Sequence, residues 1–299
     1  MTGADIPEDH PRYESLLTRH RIEAGVDKGI TSRQGLIAQG RGEAFDYLLG
    51  EETLPSAGDA ERAAAAHLLA ADHPVLSVNG NVAALVPEAI VDLAAATEAD
   101  IEVNLFNRTT ERMERIADHL REHGAEAVKG LTADGRIPGL SHERGTVDAD
   151  GIGDADVVLV PLEDGDRAEA LGETGKTEIV IDLNPGSRSA RAATVPIIDN
   201  VLRAVPNITH HARRLADAPP EELAYVIDSF DREEALAAAE AAIRQGSFTD
   251  EDETDGAETD GGERAKRKPG DGETGDTEVG DPETGLGEVD GPETDVDGR

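Results

Sequence analysis

The chain contains no cysteine among its 299 residues. This absence excludes disulfides, thiolate metal sites and cysteine nucleophiles as the basis of its function. The chain also lacks any apolar run near the roughly 20 residues that span a membrane. Its first residues lack the basic segment and apolar core of a secretory signal. We therefore expect a cytoplasmic protein that has no membrane partner.

Basic residues, and lysine above all, are scarce. The 28 lysines and arginines are outnumbered by 64 acidic residues, and the net charge is −36. Such an acidic, alanine-rich surface suits a protein that stays soluble in concentrated salt, where screening relieves self-repulsion, so a salt-loving source is expected. The same charge argues against nucleic acid as a partner, because DNA and RNA bind basic surfaces.

The composition changes near residue 249. From there to the end of the sequence, 19 acidic residues accompany five basic ones, and Glu-Thr pairs recur at intervals of ten residues. A segment of this composition cannot bury an apolar core. We therefore predict one folded domain over residues 1–248 and a disordered, solvating acidic tail over residues 249–299.

From residue 74 onward, short apolar runs alternate with helical patterns. Strands are predicted over residues 75–78, 101–106, 126–131, 157–160, 179–183 and 195–198. Helical periodicity covers residues 13–26 at one end of this region and residues 201–217 and 220–245 at the other. The alternation predicts an α/β fold, a Rossmann-like and mostly parallel sheet covered by helices, with helical N-terminal and C-terminal segments.

Residues 178–200 contain two strand ends, each followed by a polar turn and a helix start. Asp182, Leu183 and Asn184 close the first strand, and Asp199 and Asn200 follow the second. Because the carboxyl ends of parallel strands meet at one edge of a sheet, these residues predict a ligand cradle there.

Two arginines are candidates to bind phosphate groups at this cradle. Arg188 lies at a helix start beside the hydroxyl of Ser189, where backbone N–H groups favour anions. Arg41 is flanked by two glycines that permit a close backbone approach, and a helix is expected to begin at Glu43. A packed turn with a surface arginine remains the alternative for Arg41.

The segment after the first predicted strand imitates an NADP site. Gly80 is the glycine of a turn that resembles a dinucleotide-binding turn, and Arg108 follows the next strand, where it would hold a 2′-phosphate. However, Asn79 and Ala84 replace the first and third glycines of that fingerprint. An NADP-dependent oxidoreductase therefore stays an alternative, as does a nucleotide-binding protein without catalytic activity.

Three carboxylates follow the strand at residues 157–160. Glu163, Asp164 and Asp166 lie where acidic side chains often hold Mg²⁺ beside nucleotide phosphates. In so acidic a chain, a solvated turn is an equally good interpretation, and binding of an amine is a third.

Two further motifs are interpreted as structural. Gly175 to Thr177 imitates the end of a Walker loop, but it precedes a strand instead of following one. His119 and His123 have the spacing of zinc ligands on a helix, but no third ligand is evident. We predict a helix-to-strand turn for the first motif and a solvated helix end for the second.

Seven segments together resemble the archaeal 4-phosphopantoate–β-alanine ligases, also called phosphopantothenate synthetases. In chain order they read HPRYESL, GLIAQGRGEAFDYLLGE, PVLSVNGNVAALVPE, IEVNLFNRT, RIPGLSHERG, ADVVLVPLEDGDR and VIDLNPGSRSARAATVPIIDN. The resemblance covers about residues 9 to 215. The sequence departs from the family pattern at Gln39, where histidine is expected, at Ala168, where threonine is expected, and at Gly186, where leucine is usual.

The resemblance implies an ATP-dependent condensation of (R)-4-phosphopantoate with β-alanine, giving 4′-phosphopantothenate, AMP and diphosphate in coenzyme A biosynthesis. It also implies a homodimer. The ATP-binding positions of the family fall on Arg19, Arg41, Asp182, Leu183, Asn184, Arg188, Ser189, Asp199 and Asn200.

Roles in the reaction are assigned as hypotheses on this basis. Arg41 and Arg188 stabilise phosphates, and Asp164 and Asp166, with Glu163, serve Mg²⁺ or the amine of β-alanine. The candidates to bind phosphopantoate are Asn79, Asn81, Arg108, Arg136 and Arg144.

Overall fold

The computed structural model describes residue 7 and residues 13–140, 143–161 and 165–246. The predicted acidic tail lies outside the described residues, and so do Glu163 and Asp164. The boundary between a folded domain and a tail at residue 249 therefore stays a prediction.

A five-stranded parallel sheet forms the centre of the described fold, as the α/β pattern predicts. Its strands are β1 (Pro74–Val78), β2 (Asp100–Val103), β5 (Val157–Pro161), β6 (Thr177–Asp182) and β7 (Val195–Ile198). They lie in the order β2-β1-β5-β6-β7, and a separate antiparallel pair joins β3 (Gly135–Arg136) to β4 (Thr146–Val147). Strand β2 lies on one side of β1, and β5, the next strand of this sheet along the chain, lies on the other side of β1. The boundary between β1 and β5 is thus the topological switch point, where ligands of open α/β sheets bind.

Helices cover both faces of the sheet. They are α1 (Tyr13–Asp27), α2 (Arg33–Leu49), α3 (Pro55–Ala70), α4 (Gly80–Leu85), α5 (Pro87–Thr97), α6 (Thr110–Glu122), α7 (Gly165–Glu173), α8 (Arg188–Ala192), α9 (Val201–Leu215), α10 (Pro220–Asp228) and α11 (Arg232–Gln245). None of the helices in the described part of the chain is both long and apolar enough to cross a membrane.

Three of the predicted element boundaries are wrong. Helix α2 begins at Arg33, ten residues before the predicted start, because its three internal glycines, Gly35, Gly40 and Gly42, are accommodated within the helix. The segment around residue 129 makes only an isolated bridge to Glu102 instead of a full strand. The predicted helix over residues 220–245 is divided into α10 and α11, with Asp231 capping the second.

The strand residues alternate between two cores. Leu76, Ile179 and similar residues face the larger core beneath α3, α5 and α9, whereas Val75 and Val158 face a smaller core beside α7 and the β3–β4 pair. Aromatic residues make up only 2% of the chain, so aliphatic side chains fill both cores. Alanines dominate the buried face of α3, and such small side chains let neighbouring backbones approach closely.

Polar residues follow the strands at the carboxyl edge of the sheet. Asn79 follows β1, Asn104 follows β2, Asp182 ends β6 and Asp199 follows β7. Because Asp182 pairs in register with Ile198, the polar ends of β6 and β7 are adjacent. This edge of the sheet therefore holds the candidate site.

Candidate active site

The loop that follows β6 is held in shape by one carboxylate. Oδ1 of Asp182 accepts hydrogen bonds from the backbone N–H groups of Leu183, at 2.7 Å, and Asn184, at 3.1 Å. Its Oδ2 accepts a 2.6 Å hydrogen bond from the hydroxyl of Ser187. The Ser187 oxygen in turn accepts from the backbone N–H of Ala190 and caps α8. Asp182 therefore fixes the loop that presents Arg188.

Arg188 lies at the exposed surface of this loop. Its side chain is 65% exposed and forms an ion pair with Glu169, with Nη2 at 2.8 Å from Oε2. The hydrogen bond and charge of Glu169 raise the pKa of Arg188, and the charge of Asp166 adds to the effect. Because solvent screens such a pair, Glu169 holds Arg188 only weakly, and the arginine can turn to a bound phosphate. Ser189, the next residue, is buried.

The end of β7 is tied to α2 through an arginine. Asp199 is 1% exposed, and its Oδ1 accepts hydrogen bonds from Arg203 and from the backbone N–H of Asn200. Arg203 also pairs with Asp46 on α2, at 2.8 Å. Asn200 caps α9 through its Oδ1 and donates from Nδ2 to Asp46 at 3.0 Å. Oδ2 of Asp199 accepts a 2.7 Å bond from Thr53. Asp199 and Asn200 thus position α2 over the strand ends.

A second buried carboxylate extends this network. The Nδ2 of Asn207 donates to Thr53 at 3.0 Å and to Oε2 of Glu61 at 3.1 Å. Burial raises the pKa of Glu61 to about 8, and the nearby charge of Asp199 adds to the rise. Burial also raises the pKa of Asp199, although the hydrogen bond and charge of Arg203 oppose that rise. A proton is therefore held on Glu61 at neutral pH.

Helix α2 covers the ends of β6 and β7. A Cβ at Gly42 would lie 3.2 Å from Nδ2 of Asn200, so a small residue suits the close approach, as the sequence predicts. The adjacent Arg41 is exposed and makes no hydrogen bond or ion pair within the part of the chain that the structure describes. Gln39 is buried beside Asn200 and Leu183 in a narrow gap between α2 and the strand ends.

Arg19 reaches the same region from α1. Its guanidinium binds Glu43 on α2 in a bidentate pair, with distances of 2.6 Å and 2.8 Å. Glu43 also borders a cavity of about 260 Å³ together with Gln39, Asp46 and Asn200. Of the predicted ATP-binding residues, Asn200 lines this cavity, and Leu183, Asp199 and Asn200 line the narrow gap beneath α2.

The turn after β1 is built by two asparagines. Oδ1 of Asn79 caps α4 by accepting from the N–H groups of Asn81, at 2.9 Å, and Val82, at 3.1 Å. Its Nδ2 donates to the carbonyl oxygen of Pro161 at 3.0 Å. Asn81 donates to the carbonyl oxygen of Gly35 at 3.0 Å and is therefore anchored to α2.

A pocket of about 240 Å³ opens beside this turn, and two arginines line it. Arg144, predicted from the sequence, is only 5% exposed and lies among the lining residues with Asn79 and Asn81. Its loop is fixed by Asn104 at the end of β2, which donates to the carbonyl oxygens of residues 144 and 146. Arg112 was not predicted. It lies in the first turn of α6. The signal in the sequence that could have identified it is a helix start that directly follows a strand end.

The other two predicted arginines lie elsewhere. Arg108 donates to the carbonyl oxygen of Gly130, and Arg136 donates to that of Leu140 at 2.8 Å and 3.0 Å. Neither is among the residues that line the pocket of Arg144. The structure therefore brings together Asn79, Asn81 and Arg144 of the predicted phosphopantoate set, and not Arg108 or Arg136.

The surroundings of Gly80 disfavour the dinucleotide interpretation. A Cβ at Gly80 would collide with the carbonyl oxygen of Ile30 and lie 2.7 Å from Arg112, whose Nε donates to that oxygen at 3.1 Å. In a dinucleotide site, this glycine leaves room for the pyrophosphate. Here protein atoms occupy that space, and Arg108 points to another loop.

The described residues contain no group of three acidic or histidine side chains that could hold a metal ion. Of the predicted magnesium cluster, only Asp166 is described. Gly175 adopts a positive φ of 80° between α7 and β6, which confirms a helix-to-strand turn. The rings of His119 and His123 meet edge to face, with centroids 4.3 Å apart.

Comparison with known proteins gives consistent matches. A family model described as phosphopantothenate/pantothenate synthetase matches residues 56–246. A 4-phosphopantoate–β-alanine ligase of Thermococcus kodakarensis is 53% identical over 234 residues, 78% of this chain and 90% of the relative. Its counterpart in Methanosarcina mazei is 54% identical over 241 residues, covering 81% and 95% of the two chains. That of Methanospirillum hungatei is 57% identical over 210 residues, covering 70% and 86%.

Proposed function

Because the chain belongs to the phosphopantothenate/pantothenate synthetase family, we propose that it joins 4-phosphopantoate to β-alanine with the consumption of ATP. Its products are 4′-phosphopantothenate, AMP and diphosphate, and the reaction serves coenzyme A biosynthesis. The observation that carries the proposal is the set of polar strand ends beneath α2, next to a separate pocket lined by two arginines.

ATP binds where the loops after β6 and β7 meet α2. Arg188 and Arg41 are both exposed there, and Arg188 is held only by a solvent-screened pair, so both can bind phosphate oxygens at little cost. Asp182 and Asp199 act by shaping the two loops, because their carboxylate oxygens already accept hydrogen bonds within the chain.

The phosphate of 4-phosphopantoate binds in the pocket of Arg144 and Arg112. Charge-assisted hydrogen bonds from guanidinium groups are the strongest that a phosphate receives from side chains. Asn79 and Asn81, in the turn after β1, line the same pocket. The carboxylate of the substrate then extends across the switch point toward the nucleotide.

The reaction proceeds by activation of the carboxylate. The carboxylate oxygen of phosphopantoate attacks the α-phosphorus of ATP, diphosphate leaves, and an acyl adenylate forms. The deprotonated amine of β-alanine attacks the acyl carbon, and AMP leaves with the bonding electron pair. Negative charge develops on phosphoryl oxygens in the first step, and Arg188 and Arg41 stabilise it.

Asp166 would help to hold the Mg²⁺ that accompanies the phosphates of ATP, because it lies in the first turn of α7 and its charge acts on Arg188. When bound, such an ion would offset the negative charge of the phosphates, and one or two protein carboxylates are enough to hold it there. Glu163 and Asp164 complete the proposed set but lie outside the described residues.

The outer face of α2 supports a homodimer. Leu36, Ile37, Tyr47 and Leu48 are all exposed and lie on one side of this helix. Exposed apolar patches of this kind mark protein interfaces. The second copy of α2 would bury these side chains near Arg41.

Light scattering tests this interface. Ile37→Glu should reduce the molar mass to that of one chain, because an unpaired charge would be buried between the copies. Tyr225→Glu, at an exposed apolar residue on α10, is the matched control and should leave the mass unchanged. A dimer that persists in Ile37→Glu and Leu48→Glu would remove α2 from the interface.

Product analysis tests the activity itself. Purified protein should release AMP and diphosphate only when both 4-phosphopantoate and β-alanine are present with ATP and Mg²⁺. Oxidation of NADPH without AMP release would instead support the oxidoreductase. ATP binding without turnover would support a nucleotide-binding protein that has no catalytic activity.

A further inference from the structure

A second large cavity, of about 360 Å³, lies among α1, α4, α5, α6 and α9. Four side chains that can carry positive charge line it. Arg21 lies on α1 and Lys28 directly follows that helix, while His119 lies on α6 and His123 directly follows it. The histidines form the motif that resembles a zinc site in the sequence, and the proposed reaction makes no use of them.

His119 lines this cavity and is largely buried. The residue is 8% exposed, and its Nδ1 is buried without a hydrogen-bond partner. The carboxylate of Glu122 lies nearby, with Oε2 at 3.8 Å from that nitrogen. His123 approaches the carbonyl oxygen of His119 with Nδ1 at 2.8 Å, so that nitrogen of His123 carries a proton.

The cationic groups here are unusual for this chain. Only three lysines precede residue 249, and Lys28 is one of them. Its ammonium makes no hydrogen bond or ion pair with the described residues. Among the residues that the structure describes, Arg21 makes only a long hydrogen bond, at 3.4 Å, to the carbonyl oxygen of Leu85. Two basic side chains, Lys28 and Arg21, therefore lie beside two histidines in a chain where basic residues are scarce, and both can bind an anion.

The remaining walls of the cavity are largely apolar. Leu85, Val86, Leu202 and Pro206 contribute to them from α4, the segment that follows it, and α9. A ligand that matches both parts needs an anionic group at one end and a short apolar chain at the other. Inorganic anions would leave the apolar walls unused.

This cavity adjoins the cavity beside the proposed ATP site, because Glu14 and Leu202 line both. Arg19 and Arg21 are two residues apart on α1, so their side chains leave the helix about 200° apart. Arg19 pairs with Glu43 on α2, whereas Arg21 lines the cavity next to α4. The two arginines therefore serve opposite sides of α1.

We propose that this cavity is a binding site for a small organic anion, a phosphate ester or a carboxylate with a short apolar chain. Lys28 and Arg21 attract its charged group, His119 and His123 donate hydrogen bonds to it, and the apolar walls bind its chain.

Protonation of the histidines is coupled to binding. Burial lowers the pKa of His119, and the charges of His123 and Lys28 lower it further, whereas Glu122 opposes the shift. The other charged groups that face the pair are Arg21 and Glu14 of α1, Glu88 of α5 and Glu122 of α6. A bound anion would favour the protonated form of His119. Binding should therefore strengthen as the pH falls through the range where histidine titrates.

NMR of the full chain with ¹⁵N-labelled histidine tests the proposal. Butyl phosphate is the main probe, and inorganic phosphate, pentanoate and butanol are compared at one salt concentration, because salt screens the attraction. The resonances of His119 and His123 should shift saturably with butyl phosphate. Inorganic phosphate should bind at least about tenfold more weakly, because it buries no apolar carbon. Pentanoate distinguishes carboxylates from phosphates, and butanol should give no shift.

The chain provides its own control pair. His210 and His211 on α9 also meet edge to face, with centroids 5.8 Å apart, but they do not line this cavity. Their resonances should stay in place. If no histidine responds, or if all respond in parallel, the proposal is wrong.

Two variants separate binding from folding. Lys28→Ala should weaken butyl phosphate binding about tenfold while leaving thermal unfolding and basal ligase turnover unchanged. Arg244→Ala, which removes an exposed cation of α11, is the matched control and should bind like the original chain. Equal binding by the Lys28 and Arg244 variants would contradict the assignment of the charged end.

Discussion

Asn79 donates a 3.0 Å hydrogen bond from Nδ2 to the carbonyl oxygen of Pro161 and thereby joins the ends of β1 and β5 at the switch point. The same side chain caps α4 through Oδ1. One residue therefore fixes both the turn that borders the Arg144 pocket and the strand that leads to α7. This hydrogen bond therefore fixes the position of the Arg144 pocket relative to the end of β5.

Asn79→Ala should lower the free energy of unfolding by about 1–2 kcal/mol, because it removes a helix cap and a hydrogen bond between strands. It should also raise KM for 4-phosphopantoate. Asn79→Asp is the matched comparison, since its carboxylate keeps the cap acceptor and loses the donor to Pro161. Chemical denaturation and steady-state kinetics measure the two effects. If both variants behaved like the original chain, the link would have no functional role.

A change at Arg144 should affect the KM for 4-phosphopantoate far more than the KM for ATP. Arg144→Lys keeps the charge but loses the planar fork, so KM for 4-phosphopantoate should rise about tenfold or more while KM for ATP changes little. Arg108→Ala is the control, because Arg108 donates to Gly130 outside the pocket. A larger effect on KM from Arg108→Ala than from Arg144→Lys would place the phosphate beside Arg108 instead.

Arg188 should matter for turnover and not for folding. Arg188→Ala should reduce kcat about a hundredfold, because a cation aimed at developing phosphoryl charge is lost. The midpoint of unfolding should stay nearly constant, since the exposed pair with Glu169 adds little stability. Glu169→Gln removes the same ion pair and should retain activity. Full turnover by Arg188→Ala would remove the loop after β6 from the active site.

The buried carboxyl of Glu61 predicts a pH dependence of stability. With a pKa of about 8, Glu61 keeps its proton in the folded chain at pH values where an unfolded glutamate has lost it. Folding therefore takes up a proton, and this contribution to stability falls as pH rises from about 4.5 to about 8.

Glu61→Gln should remove that part of the pH dependence. The difference in free energy of unfolding between the variant and the original chain should move in favour of the variant as pH rises, by about 1.4 kcal/mol for each unit of pKa shift. Denaturation at several pH values measures it, with Glu114→Gln on the exposed side of α6 as the control. Parallel pH profiles for the Glu61 variant and the original chain would contradict a protonated Glu61.

The sheet and its polar edge could be predicted from local patterns. Apolar runs ending in Asp182 and Asp199 indicate two parallel strand ends, and the topology of such sheets brings them together. The start of α2 could not be predicted in the same way, because glycines at 40 and 42 read as a turn. Gly42 lies close to Asn200 in the helix, and this approach is a feature of tertiary packing that a local pattern does not show.

The side chains that line the Arg144 pocket could not be predicted from local sequence patterns either. Arg108, Arg136 and Arg144 are equivalent on sequence grounds. Their contacts distinguish them, because Arg108 donates to Gly130 and Arg136 to Leu140, whereas Asn104 fixes the loop that carries Arg144. Arg112 joins the pocket because the loop at residue 30 packs on Gly80. Glu61 lies in an alanine-rich helix, and its burial follows from contact with residues more than a hundred positions away.

An isotope label on the carboxylate oxygens of 4-phosphopantoate tests the proposed adenylation most directly. If 4-phosphopantoate labelled with ¹⁸O in its carboxylate reacts with ATP and β-alanine, the account predicts AMP that carries one ¹⁸O atom, visible as a mass increase and as a shifted phosphorus resonance. Labelled orthophosphate with ADP, or AMP without label, would contradict activation by adenylation at this site.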